Sequence, residues 1–180
     1  TSLLAGWLLW LSATPDKPTT SAAARKPNIV IVMADQWRAE AFGYAGNRDV
    51  ITPNFDKLAA ESVNARYCVA SVPVCSPSRA SMLTGQHAHT HGVFYNDRPL
   101  RNEAVTLAEV CKQNGYQTGY IGKWHLNGSL SKSYTQRRAQ PIVAERRQGF
   151  GYWRAYECSH AYNNSPFYNE VNQKSVWQKY

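Results

Sequence analysis

Residues 75–85 read CSPSRASMLTG, and this stretch carries the strongest signal for fold and function in the chain. Pro77 lacks an N–H and fixes its own φ, so it suits the first turn of a helix, and good helix formers follow it as far as Gly85. The pattern therefore predicts a short helix with Cys75 just before its N-terminus. Unpaired backbone N–H groups and the positive end of the helix dipole gather there and favour an oxyanion. Arg79, one helical turn further on, can direct its guanidinium back toward position 75, and we interpret the stretch as the nucleophile segment of an enzyme.

The apolar run NIVIVMA at residues 28–34 is rich in β-branched side chains. A continuous run of this kind predicts a strand that is buried on both faces, as in a parallel sheet. It ends at Asp35 and Gln36. Polar residues at the carboxyl end of such a strand lie where α/β folds bind their ligands, so these two side chains are candidate site residues.

Helix and strand patterns alternate along the rest of the chain. A helix is predicted at residues 52–62, with threonine as its N-cap and proline at its first position. A loosely alternating strand at residues 63–69 then delivers the chain to Cys75. Residues 106–114 have apolar positions at helical spacing followed by a glycine stop, and residues 116–121 follow as a strand. This alternation places the chain in the α/β class.

The cysteine stretch resembles the signature of the type I sulfatases, in which the cysteine is converted after synthesis into Cα-formylglycine. The resemblance covers about residues 26–160 and implies an alkaline-phosphatase-like α/β sandwich with a mostly parallel central sheet, incomplete in this chain. It implies that residues 26–180 form the N-terminal part of the catalytic domain and that this part alone is inactive. The formylglycine-generating enzyme is the implied partner of the unprocessed cysteine.

The same resemblance implies roles for the residues near the nucleophile. Cys75, as formylglycine, supplies the attacking group, and Arg79 orients it. Asp35 and Gln36 hold a divalent metal together with the hydrated aldehyde at position 75, and calcium is the expected ion. An amide oxygen can ligate a hard cation, but glutamine in place of a second acidic residue should weaken the site or leave the metal more electrophilic.

A second family segment is the sequence GKWH at residues 122–125, directly after a predicted strand. It is similar to the Gly-Lys-Trp-His segment of the sulfatases, in which the lysine and the histidine reach the sulfate group. Lys123 and His125 are therefore the implied sulfate ligands. The chemistry is consistent, because an oxyanion with charge spread over three oxygens needs several fixed donors.

Three histidines alternate at positions 87, 89 and 91. On a strand, this spacing would place three imidazoles on one face as a transition-metal site. The resemblance implies instead a loop with one or two histidines that line the substrate pocket, and His91 is then a candidate substrate contact. A solvated loop is the third interpretation.

Residues 145–154, ERRQGFGYWR, combine aromatic rings with arginines. Rings pack on sugar faces and guanidinium groups bind sulfate, so the run suits a sugar-sulfate surface. A core element with a basic rim explains the same residues equally well.

The net charge of +8 and the pI near 9.4 suit an anionic partner such as a sulfated glycan, whereas no basic block or DNA-binding pattern points to nucleic acid. We expect a sulfuric-ester hydrolase that acts on a sulfated carbohydrate or a related sulfate monoester. The alternatives are a phosphonate or phosphate monoester hydrolase of the same superfamily, and a non-catalytic relative that binds sulfated glycans.

The apolar segment at residues 3–11 resembles the end of a secretory signal peptide or a signal anchor, followed by a linker to residue 25. It is short for a membrane span, so a secreted or periplasmic protein without a stable span is expected. With Cys75 set aside, Cys68, Cys111 and Cys158 remain, so at least one is free or pairs with chain that is not present. Cys111 lies on the apolar face of its predicted helix and is expected in the core.

Overall fold

The computed structural model describes residues 25–128, 133, 136, 140–160 and 163–176. The chain divides into two compact units, residues 1–34 and 35–180, and all the helices and strands described lie in the second. Their bounds are α1 Pro53–Ala60, α2 Cys75–Thr84, α3 Ala88–His91, α4 Leu107–Gln113, β1 Gly119–Lys123, β2 Tyr152–Tyr156, β3 Pro166–Tyr168 and β4 Lys174–Val176, with 3-10 turns at Gly43–Ala45 and Ala144–Arg146.

The four described strands form one sheet in the order β1-β2-β3-β4. β1 and β2 are parallel, with Gly119 opposite Tyr152 and Lys123 opposite Tyr156, whereas the other two pairs are antiparallel. The described sheet is therefore mixed rather than mostly parallel. The parallel pair matters most for the site, because it fixes the carboxyl end of β1 beside that of β2.

The three helices predicted from the sequence are present, and local signals explain their ends. α2 begins at Cys75 itself and ends at Gly85, whose φ of +67° is a conformation that favours glycine. α4 begins at Thr106, which forms a capping box with Glu109. α1 begins after Thr52, but this hydroxyl donates to Asp56 of its own helix instead of capping the backbone.

The hydrophobic core joins apolar residues of α2 and β2 to those of the loops around them. Trp124 and Trp153 are fully buried, and their rings meet edge to face at 5.2 Å. The aromatic run at residues 145–154 therefore contributes to the core. Arg147 lies over the Trp153 ring at 5.3 Å and is itself buried, so the structure favours the core interpretation of this run over the sugar-binding one.

Two predicted strands are wrong. Residues 28–34 and 63–69 are not in strands and are exposed, with Val30 82% and Val63 98% exposed. An apolar run becomes a buried strand only where neighbouring strands satisfy its backbone and cover its faces, and no described strand pairs with either run. Sequence pattern alone does not supply those neighbours.

Smaller corrections concern the elements after α2. β1 begins at Gly119, three residues later than predicted. α4 buries Ala108, whereas Cys111 is only half-buried. His89 and His91 lie in the short helix α3 and His87 is its N-cap, so the three histidines do not share one strand face.

The predictions for residues 1–24, including the signal peptide and the linker, lie outside the described residues. Within the part of the chain that is described, no helix has the length and apolar character needed to cross a membrane. All four cysteines are described and none forms a disulfide: Cys68 is exposed, Cys75 and Cys111 are half-buried, and Cys158 is buried.

Candidate active site

The carboxylate of Asp35 is the centre of a cluster built from three separate segments. Its Oδ1 lies 3.6 Å from the Sγ of Cys75, the first residue of α2. Its Oδ2 accepts a hydrogen bond of 2.6 Å from the Nζ of Lys123, the last residue of β1, and lies 3.7 Å from a guanidinium nitrogen of Arg79. Four of the residues predicted from the sequence therefore lie together.

Charge keeps this cluster ionised. Burial alone would raise the pKa of Asp35, but the hydrogen bond and charge of Lys123, together with Arg79, bring it below its usual value. Burial would likewise lower the pKa of Lys123, and the Asp35 carboxylate raises it above its usual value. Both groups are therefore charged near neutral pH, and a cationic ammonium lies next to the thiol position.

Arg79 does not contact position 75 as the one-turn spacing suggested. Its buried guanidinium donates to the carbonyl of Lys123 at 2.7 Å and to the hydroxyl of Tyr120 at 3.2 Å, while also facing Asp35. The Tyr120 hydroxyl donates to the same Lys123 carbonyl. Arg79 thus attaches α2 to the end of β1 and helps to fix the backbone that carries Lys123.

His125 lies in the loop after β1 and has a left-handed φ of +56°. Its Nε2 is 2.9 Å from the Oδ1 of Asp97, and its backbone N–H donates to the carbonyl of Glu157. The imidazole is buried. A non-glycine residue in this conformation is strained by about 1–3 kcal/mol, so the surrounding contacts must hold it there.

Asn96 and Asp97 were not identified from the sequence, yet they link His125 to the start of α2. The Asn96 side chain accepts a hydrogen bond from the N–H of Ser76 at 2.9 Å, and the N–H of Asp97 donates to the Ser76 hydroxyl at 3.3 Å. One of the N–H groups at the start of α2 is therefore already satisfied. The only signal for these residues was an Asn-Asp pair, which predicts a turn and nothing more.

Glu157 also escaped the sequence analysis. Its buried carboxylate accepts hydrogen bonds from the N–H groups of Asn127 at 3.1 Å and Gly128 at 2.8 Å, in the loop that carries His125. Burial raises the pKa of Glu157 to about 7, although these donors and the nearby Arg146 lower it. No sequence pattern distinguishes this glutamate from a surface residue.

Of the three alternating histidines, His91 is buried and makes internal contacts with both ring nitrogens. Its Nε2 is 3.0 Å from the Ser81 hydroxyl and its Nδ1 accepts from the N–H of Val93. Burial lowers the pKa of His91, so the ring is neutral near pH 7. His89 of α3 stacks on His87, the N-cap of that helix, with ring centroids 5.8 Å apart.

The described residues do not form a complete metal site. None of them belongs to a group of three or more His, Cys, Asp or Glu side chains that could hold an ion. Gln36 is exposed beside Asp35 with a φ of +49°, so these two offer only a few of the six to eight oxygen ligands that calcium takes. The Asp35 carboxylate is moreover hydrogen-bonded to Lys123.

Cys75 thus begins a helix with the Asp35 carboxylate beside it, and the cations of Lys123 and Arg79 face the same carboxylate. The family model named Sulfatase matches residues 27–179. The chain therefore belongs to the sulfatase family.

Relatives and solved structures agree with this membership. The chain is 48% identical over 166 residues to the ulvan-active sulfatase of Formosa agariphila. This match covers 92% of this chain and 30% of the relative. The Bacteroides fragilis protein yidJ, named as a sulfatase, superposes with a TM-score of 0.76 at 32% identity, over 94% of this chain and 39% of its own. A third protein, solved with its substrate D-glucosamine-2-N,6-O-disulfate, gives a TM-score of 0.69 at 29% identity, over 87% of this chain and 28% of its own.

These structures confirm the predicted alkaline-phosphatase-like α/β fold. The chain spans about 30% of the length of the ulvan-active sulfatase.

Proposed function

We propose that this chain supplies the nucleophile and the anion-binding side chains of a sulfuric-ester hydrolase that acts on a sulfated carbohydrate. The observation that carries the proposal is the shared Asp35 carboxylate, which lies against Cys75 on one side and Lys123 on the other. A sugar substrate is supported by the relative named for ulvan and by the solved complex with a sulfated glucosamine.

Cys75 suits conversion to formylglycine, because it is half-buried, forms no disulfide and is the first residue of a helix. The hydrated aldehyde would supply a hydroxyl that attacks sulfur. The formylglycine-generating enzyme is then a required partner during synthesis, and we expect the mature protein to be secreted or periplasmic.

The chain's own residues position and stabilise the reacting anion. Lys123 is positively charged near neutral pH because the Asp35 carboxylate raises its pKa, so it binds a sulfate oxygen and stabilises the charge that develops in the transition state. His125, in the loop directly after β1, adds a second donor. Asp35 holds the Lys123 ammonium in place and offers a carboxylate 3.6 Å from the position of the attacking group.

A divalent metal has no step in this proposal. Asp35 and Gln36 are the proposed ligands among the described residues, but they are too few to hold calcium by themselves. The roles of Lys123 and His125 follow from charge and hydrogen bonding alone.

Mass spectrometry of the peptide that contains Cys75, from protein made in its native host, tests the proposal directly. Formylglycine is about 18 Da lighter than cysteine, and conversion at position 75 with an unchanged Cys111 is the expected result. An unmodified thiol would contradict the proposal and would favour the glycan-binding alternative.

Turnover of an aryl sulfate and an aryl phosphate by the enzyme that contains this chain tests the reaction class. Preferred hydrolysis of the sulfate is expected, with Cys75→Ala inactive and Cys111→Ser active as the matched control. A strong preference for the phosphate would contradict the assignment as a sulfatase and would favour a phosphate or phosphonate monoester hydrolase.

A further inference from the structure

Asp97 and His125 form a close pair although they lie 28 residues apart. The distance from Asp97 Oδ1 to His125 Nε2 is 2.9 Å, and both side chains are largely buried. Both residues also have left-handed backbones, with φ of +64° and +56°. Two strained residues that face each other through a charged hydrogen bond are typical of a site whose geometry is held for function.

The backbone around Asp97 is fixed from two directions. On one side its N–H donates to the hydroxyl of Ser76, the residue after the nucleophile position. On the other side the loop of His125 packs directly on it. A Cβ added to Gly128 would lie 2.5 Å from the Asp97 carbonyl oxygen and 2.6 Å from the nitrogen of Pro99, so only glycine allows this approach.

We propose that Asp97 is a positioning residue that holds His125 in the orientation required to act on the sulfate ester. The proposal rests on the proposed function and goes beyond it, because Asp97 itself touches no reacting group. Through its backbone contact to Ser76 and its side-chain contact to His125, Asp97 connects the nucleophile end of α2 to the anion-binding loop.

The chemistry of the pair gives this role a definite content. A carboxylate only accepts hydrogen bonds, so the Nε2 atom that faces Asp97 must carry a proton. Asp97 therefore selects one tautomer of the neutral ring and stabilises the imidazolium, in which Nδ1 is a donor as well. Without the carboxylate the ring can rotate or change tautomer, and a buried histidine then offers the wrong atom to the substrate.

Asp97→Asn is the most informative variant. Asparagine has the same shape and tolerates a left-handed backbone, so the fold and the contact to Ser76 are retained while the charge is lost. We expect kcat/KM for an aryl sulfate to fall by about 10- to 100-fold, mainly in kcat, and to fall further in Asp97→Ala. Glu103→Gln, an exposed acid in the same loop region, is the matched control and should change kcat/KM by less than about twofold.

A measurement independent of activity separates this proposal from the proposed function. An imidazole N–H bonded to a carboxylate gives a downfield proton resonance, which His125→Gln assigns by its loss. We expect this resonance in the parent protein and in Glu103→Gln, and we expect it to be absent in Asp97→Asn.

The outcomes divide cleanly. The positioning role is refuted if the resonance survives in Asp97→Asn. It is also refuted if the resonance is lost while kcat/KM stays within twofold of the value for the parent enzyme. If neither the parent nor any variant hydrolyses a sulfate ester but the resonance depends on Asp97, the hydrogen bond between Asp97 and His125 is confirmed and the proposed function is refuted.

Discussion

The carboxyl group of Glu157 is hydrogen-bonded to the loop that carries His125, and its raised pKa predicts that the stability of the protein depends on pH. The residue is 2% exposed and accepts hydrogen bonds from the N–H groups of Asn127 and Gly128. Burial raises its pKa from 4.5 to about 7, with a smaller contribution from the like charge of Asp97, although the N–H donors and Arg146 oppose the rise.

The size and sign of the effect follow from this difference in pKa. Each unit is worth about 1.4 kcal/mol, so a rise from 4.5 to about 7 corresponds to about 3 kcal/mol. The folded protein binds the proton more tightly than the unfolded chain does. The contribution to stability is therefore fully present below pH 4.5 and is lost as the pH rises through about 7.

Glu157→Gln removes the titrating group but keeps a neutral side chain that accepts the same hydrogen bonds. The free energy of unfolding, measured by urea denaturation between pH 5 and pH 8, should fall with pH in the unmodified protein and change less in the variant. We expect the variant to gain up to about 3 kcal/mol relative to the parent between these two pH values.

Glu145→Gln is the matched control, because Glu145 is exposed on the 3-10 turn before Arg147. Its curve should run parallel to that of the unmodified protein. If the Glu157→Gln curve also runs parallel between pH 5 and pH 8, then the Glu157 carboxyl is already ionised at pH 5 in the folded protein. Burial would then not outweigh the N–H donors and Arg146, and the inferred rise in the pKa of Glu157 would be wrong.

Three further changes test the site and the fold. Lys123→Met should lower kcat/KM for an aryl sulfate by at least about 100-fold, because it removes the cation bonded to Asp35; a loss below tenfold in steady-state assays would exclude Lys123 as an anion ligand. Gly149→Ala should lower the free energy of unfolding in urea more than Gly46→Ala does. Both glycines have a positive φ, which costs an alanine about 1–2 kcal/mol, but only at Gly149 would the added Cβ meet the backbone of α4; equal losses would contradict this. Thr106→Ala should cost about 1–2 kcal/mol by losing the capping box, with Thr106→Ser close to the parent in the same assay.

The helices could be predicted because their signals are local. Pro53 at the start of α1, Gly85 after α2 and the Thr106 capping box each fix a helix end through contacts within a few residues. The cap of α1 shows the limit of this reasoning. Thr52 occupies the predicted position, but its hydroxyl accepts from the N–H of Gly43, a contact that no helix rule anticipates.

The strands were predicted less well because a strand is defined by its neighbours. The apolar pattern at residues 28–34 is the strongest strand signal in the sequence, yet those residues are exposed and unpaired with any described strand. β2 was hidden in a run that suited two interpretations, and β3 and β4 were not predicted at all. Pairing depends on residues far away in sequence, so periodicity within one segment does not reveal it.

The motifs located the candidate site residues but not the contacts that hold them in place. Asp35, Cys75 and Lys123 were each found from local sequence, and the fold brings them to one carboxylate. Asp97 and Glu157 contact partners that lie 28 and 30 residues away in sequence, and neither lies in a recognisable pattern. Left-handed backbone conformations at single non-glycine positions leave no periodic signal in a sequence either.

Arg79 lies in the candidate site, but its contacts differ from the one that helical spacing predicts. The one-turn spacing on α2 predicts that its guanidinium points at position 75, but a buried guanidinium needs several acceptors and a thiol is a poor one. The carbonyl of Lys123, 44 residues away, accepts at 2.7 Å, and the Asp35 carboxylate lies 3.7 Å away. Arg79 thus holds Lys123 by its backbone while it shares Asp35 with the Lys123 side chain. Arg79 is therefore connected to position 75 only through the neighbouring cation and carboxylate. A lysine at position 79 lacks the planar fork of donors and would not reproduce these contacts.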